Sequence, residues 1–137
     1  MIRALLVLLA AFCAAPVAAV ECSDVTYDGN RYTICEVDAS KEQLRLFLRD
    51  ERGTVYGNFS SIDAALESEG KKLAFATNAG MYHADRSPVG LYIEDQQQHM
   101  RLVPNAGPGN FGLLPNGVFC MREGRADVYE SLTYRDS

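Results

Sequence analysis

"CSDVTYDGNRYTIC", Cys22 to Cys35, places two cysteines at the ends of a segment with Asp28-Gly29 at its centre. Asp-Gly between polar and β-branched residues is a two-residue hairpin signal. With the turn at Asp28-Gly29, Tyr27 faces Asn30 and, counting outward, Cys22 faces Cys35. Alternation from the turn makes that last pair a non-hydrogen-bonded one. Opposed Cα atoms there lie about 4.5 Å apart, within reach of a disulfide. A three-residue loop, Asp28-Gly29-Asn30, sets Cys22 against Glu36 instead and spoils the geometry. The two-residue turn is favoured, and with it a Cys22–Cys35 disulfide.

A disulfide needs an oxidising compartment. The first nineteen residues supply a route to one. Arg3 is followed by the apolar run "ALLVLLAAFCAA", by Pro16, and by the small residues Val17-Ala18-Ala19, so residues 1–19 read as a signal peptide. Residues 20–137 are then the mature domain, periplasmic or secreted, with no membrane attachment after signal removal. Cys13 leaves with the signal, and Cys120, in "GVFCM", reads as a buried thiol. Without the signal the chain carries eighteen acids and twelve bases. That balance argues against nucleic acid as a partner, which needs clustered cations.

The remaining pattern is α+β. "LRLFLRD" (44–50) alternates, with Leu44, Leu46 and Leu48 on one face, and "TVYGNF" reads as its return strand. "SSIDAALESEG" reads as one short helix, capped by Ser60 with Asp63 three residues on, burying Ile62 and Leu66 and stopped by Gly70. "KLAFATNAG" (72–80) reads as an apolar strand buried on both faces, "PVGLYIED" (88–95) as the next strand, and "QQQHM" as the turn after it. "FGLL", a "PNG" turn, "VFCMREG" and "ADVYES" read as a meander. The expected architecture is a mostly antiparallel, multi-stranded sheet with one short helix.

Two loops could carry chemistry. "NAGMYHADRSP" (78–88) follows a strand. Its plain reading is turn chemistry, with Asn and Gly in left-handed conformations. Its functional reading offers Asn78 and backbone N–H groups to a ligand, His83 as acid or base, Asp85 as a carboxylate and Arg86 as an anion clamp. "GPGNFGLLPNGVF" (107–119) has Asn116-Gly117 as a hairpin signal. Two histidines and no close cysteine pair make no zinc site, and no nucleotide-binding or other cofactor motif is present, so neither metal nor cofactor is expected.

Taken together, "FATNAGMY", "SPVGLYIED", "GPGNFGLLPNGVF" and "YTICEVD…LRLFLRD" resemble the phosphodiester glycosidase domain family, and most closely its small exported bacterial members. The family includes the enzyme that uncovers mannose-6-phosphate on lysosomal proteins by removing a capping N-acetylglucosamine. The resemblance runs from about Cys22 to Tyr129. It implies a mixed fold around a curved sheet and hydrolysis of a sugar-1-phosphodiester at the glycosidic C–O bond, with a glycan or sugar phosphodiester as partner. Asn78, Gly80 and Met81 would line the site, Pro88 and Gly90 would shape its wall, and Asn116 and Gly117 would face the same cleft. A phosphate-monoester leaving group needs little acid help, which suits carboxylate-poor loops. Residue chemistry adds Asn78 for orientation, Arg86 for the phosphate and Asp85 or His83 as base. The resemblance also implies a longer domain, with a Ser-Gly-Pro loop, an Arg-Asn-Gly stretch and a late Asp-Gly segment that do not occur here after the matched region. On that reading the chain is an N-terminal, truncated part of the domain. Three readings follow: a hydrolase of this type, inactive as it stands if the missing half supplies the acid, base or phosphate anchor; a non-catalytic module that binds a glycan or a partner; or an incomplete product with no function.

Overall fold

The computed structural model describes residues 20–109 and 112–136. The proposed signal segment, 1–19, lies outside the described residues. Six strands form three two-stranded antiparallel sheets, each joining strands adjacent in sequence. The first is β1 (Val20–Tyr27) with β2 (Asn30–Val37), and the second is β3 (Tyr92–Glu94) with β4 (Gln97–Met100). The third is β5 (Gly117–Arg122) with β6 (Arg125–Glu130). Helices α1 (Phe59–Ser68) and α2 (Ser131–Arg135) complete the elements. The α+β class is as the sequence indicates, but the strands form separate hairpins rather than one multi-stranded sheet. Among the described elements, the three hairpins make no close approach to one another, and only α2 packs on a hairpin, the third.

The first hairpin has the register counted from its turn. Tyr27 faces Asn30, and Cys22 faces Cys35. Asp28 and Gly29 both have positive φ, 47° and 76°, the two-residue turn that matches strand twist. The Cys22 and Cys35 Cα atoms are 4.0 Å apart and the disulfide is formed. Alternation then gives the hairpin two unlike faces. One holds the disulfide and a hydrogen bond from Thr33 Oγ1 to Asp24 Oδ1 at 2.8 Å. The other carries Val25, Tyr27, Tyr32 and Ile34, with Tyr27 75% exposed.

Helix α1 starts two residues earlier than its Ser60 cap predicts. Asn58 is the cap: its Oδ1 accepts the Ser61 N–H at 2.9 Å and the hydroxyls of Ser60 and Ser61. The two serines donate to Asn58, so they cannot themselves head the helix. Asp63 leaves the first turn and accepts the Leu73 N–H at 3.0 Å, tying the helix to the segment after it. Gly70, at φ 70°, ends the helix as expected. Its N–H donates to the Glu67 carbonyl, while the Lys71 N–H reaches Leu66 O at 2.9 Å. Ile62 and Leu66, one turn apart, are the buried apolar residues of the described chain.

Several expected strands are extended segments without a ladder. Residues 44–50 keep their alternation, with Leu44, Leu46 and Leu48 half-buried and Arg45 and Arg49 exposed, but they contribute only the bridge Arg49–Val55. Residues 72–80 are unpaired and mostly exposed, Phe75 included, rather than buried on both faces. A strand is defined by its partner: among the described residues 48–50 pair only with 54–56, through the bridge and the bonds from Asp50 N–H to Thr54 O and from Tyr56 N–H to Leu48 O, and none pairs with 72–80. The turn expected at 96–100 is one step earlier: Asp95 and Gln96 take positive φ, and Gln97–Met100 is strand. The expected turn at Asn116-Gly117 is replaced by pairing of Gly117 with Glu130; the hairpin closes at Glu123-Gly124. A Cβ at Gly117 would meet Val128 Cγ1 at 3.0 Å, so close packing, not a turn, uses that glycine. The end of the described chain is helical where no element was expected. Glu130 caps α2 by accepting the Leu132 and Thr133 N–H groups at 2.9 and 3.0 Å. Cys120 is a free, half-buried thiol.

Because the first hairpin touches no other, its disulfide acts locally. Changing both Cys22 and Cys35 to Ser removes a closure worth about 2–4 kcal/mol. Amide exchange should accelerate across 20–37 and stay unchanged at 117–130; equal acceleration in both would contradict that independence.

Candidate functional site

Residues 81–89 form a compact hairpin loop. The Val89 N–H donates to the Met81 carbonyl at 3.0 Å and the His83 N–H to the Ser87 carbonyl at 2.9 Å. Between these bonds Tyr82 bridges Pro88. Pro88 has no N–H, and a pair flanked by hydrogen bonds but not making them is where its absence costs least. The tip closes with the Arg86 N–H on the His83 carbonyl at 2.8 Å. Arg86 then takes φ 69°, a conformation usually given to Gly or Asn at this point of a three-residue hairpin loop. Asn78 and Gly80 have ordinary negative-φ backbone, so the left-handed residue of this stretch is Arg86 and neither of the two expected from turn chemistry.

That backbone aims the Arg86 guanidinium over the Tyr82 ring, 4.9 Å from its centroid. Tyr82 is 48% exposed, so the pair presents an aromatic surface beside a fixed cation to solvent. Tyr82 was not singled out from the sequence. The signal for it is the four-residue spacing across a tight loop, which brings positions 82 and 86 to one side only once the turn type is known.

Asp85 braces the tip. Its Oδ1 accepts the Ser87 N–H at 2.9 Å and the Ser87 hydroxyl at 2.6 Å. The hydroxyl first, then the N–H, hold its carboxyl below the usual aspartate range, with a lesser contribution from the charge of His83. The Asp-x-Ser spacing is the sequence signal for this brace. His83 is exposed, and both its backbone polar groups serve the turn.

Upstream, Asn78 Nδ2 donates to the Gly80 carbonyl at 3.2 Å, and the Thr77 hydroxyl reaches Asn78 Oδ1 at 3.4 Å. Gly80 has open space where a Cβ would project. Met81 is exposed and Gly90 is buried at the foot of the loop. Asn78, Gly80, Met81, His83, Asp85, Arg86 and Gly90 are therefore gathered along one loop and its base.

Asn116 and Gly117 sit on the third hairpin, which makes no close approach to β3–β4. The Asn116 carbonyl accepts the Ser131 N–H at 3.0 Å and the Ser131 hydroxyl at 3.1 Å, joining β5 to α2. Among the described residues no group of three or more His, Cys, Asp or Glu could hold a metal ion. No helix among them is long and apolar enough to cross a membrane.

No protein-family model matches the chain, and no solved structure matches it. An uncharacterized protein of Escherichia coli (strain K12), YigE, is 35% identical to it over 105 residues. The match covers 75% of this chain and 40% of that protein, so the chain spans less than half the length of the curated relative it matches.

The brace gives a pH dependence of known sign. A carboxyl whose folded pKa is depressed stabilises the loop above the ordinary aspartate range, and that stabilisation is lost as pH falls through the lowered value. Carboxyl chemical shifts followed by NMR should place Asp85 below the usual range, and Ser87→Ala should return it toward about 3.9. An Asp85 titration unmoved by Ser87→Ala would remove the brace.

Proposed function

We propose that the chain is an exported, periplasmic or secreted, glycosidase-type hydrolase acting on a sugar-1-phosphodiester, as its resemblance to the phosphodiester glycosidase domain family implies. The observation that carries the reading is the Tyr82–Arg86 pair, an exposed ring with a guanidinium held 4.9 Å above it. An aromatic surface suits the apolar face of a sugar ring, and a planar guanidinium suits the two oxygens of a phosphate. The open space beside Gly80 supports it, since nothing in the local fold requires a glycine there. The disulfide fits an oxidising compartment.

In this reading the sugar packs on Tyr82, Asn78 orients it, and Arg86 holds the phosphate. Water attacks the anomeric carbon as the C–O bond to phosphate breaks. The bonding pair leaves with the phosphate monoester, and the water proton passes to a base. His83 suits the base better than Asp85, whose lowered pKa and Ser87 bonds weaken it as a proton acceptor. The site is orientation and charge stabilisation more than acid catalysis.

A second reading, a non-catalytic module that binds a glycan or a partner through the same loop, is favoured by the structural use of Asp85. Hydrolysis of a nitrophenyl-phosphate diester of a sugar separates the two. Turnover should fall about tenfold or more in Asn78→Ala, and Arg86→Lys should raise KM, because the planar fork is lost. Full turnover in Asn78→Ala would sink the placement of the site; glycan binding by calorimetry without any turnover would establish the second reading.

A further inference from the structure

The outer edge of β1 is both unpaired and acidic. The register makes Cys22, Asp24 and Thr26 non-hydrogen-bonded positions, so their backbone N–H and C=O groups point away from β2. None of those groups has a backbone partner among the described residues. Glu21 and Asp24 stand on the same strand, and Glu21 faces Glu36 directly across the ladder. Like charges placed opposite each other destabilise a sheet. Among the described residues no base forms an ion pair with any of these three carboxylates. The other edge differs, because β2 carries Arg31. Alternation puts Val25, Tyr32 and Ile34 on the face that Glu21 and Glu36 share. A cleft of about 530 Å³ lies along 25–27 and 32–34. From Glu21 to Tyr27 this face runs about 20 Å at strand rise, the reach of an extended chain rather than of a small molecule.

We propose that the outer edge of β1 accepts a third strand from a polypeptide segment that alternates basic and apolar residues. Its backbone pairs with Cys22, Asp24 and Thr26. Its apolar side chains lie beside Val25 on one face and its cations beside Asp24 on the other, with a terminal cation near Glu21. The unbalanced acids select a basic partner, and Arg31 turns that partner from the β2 edge. A second copy fits poorly, because pairing β1 with β1 brings the acids of both chains together. This inference does not depend on the proposed activity.

The test is amide NMR of the disulfide-bonded chain titrated with a short amidated peptide alternating lysine and valine. Amide signals of Cys22, Asp24 and Thr26 should shift and their exchange should slow about tenfold or more, while Arg31, Thr33 and Cys35 stay unchanged. The same peptide with glutamate in place of lysine should not bind. Glu21→Gln with Asp24→Asn, which removes charge and keeps side-chain length, should weaken the lysine peptide about threefold or more. The peptide comparison stands on the unaltered chain, whatever the variant does to folding. No change at millimolar lysine peptide overturns the proposal, as does equal binding of the glutamate peptide or a response at 31, 33 and 35 instead. Sedimentation showing an oligomer of the chain alone, with 22, 24 and 26 already protected, would make a second copy the occupant and overturn it too.

Discussion

Every ladder among the described residues joins a strand to its neighbour in sequence, and that locality governs the rest of the described structure. A two-residue turn fixes register, register fixes which residues share a face, and a face without a partner stays exposed. The first hairpin shows the whole sequence of causes. Asp28 and Gly29 set the turn, the turn sets Cys22 against Cys35, and alternation puts Tyr27, Tyr32 and Ile34 on the side away from the disulfide. Covalent closure stabilises such a unit without a core. The buried apolar residues, Ile62 and Leu66, belong to a helix and not to any strand.

The same local logic builds the candidate site. The loop at 81–89 is held by its own backbone bonds, by the Asp85–Ser87 brace and by a proline placed where no N–H is needed. It needs no support from a sheet to present Tyr82 and Arg86. The left-handed Arg86 is a conformational cost of order 1 kcal/mol or more that Gly or Asn would avoid. At that position its guanidinium lies over the exposed Tyr82 ring.

Short-range features were legible in the sequence, and those that depend on distant partners were not. The Cys22–Cys35 register, the Ile62–Leu66 face and the Gly70 stop follow from spacing within one element, and the structure has all three. Residues 44–50 and 72–80 have strand-like patterns, yet among the described residues the first pairs only at its end, with 54–56, and the second with nothing, which no local rule could reveal. Asn58 outcompeted Ser60 as a cap because both serines donate to it. Asn116-Gly117 carried a hairpin signal, yet Gly117 is used against Val128 and Asn116 against Ser131. The "HADR" residues were visible as chemistry, but their roles were not: Asp85 became a brace, and Tyr82 became visible only through the turn that sets Arg86 above it.

Hydrogen exchange of the intact chain under native conditions tests the central claim, that the three hairpins are separate cooperative units. Three distinct levels of protection are expected for 20–37, 92–100 and 117–130, highest in the disulfide-closed first hairpin and responding independently to low concentrations of denaturant. One shared level, lost together across all three segments, would contradict it.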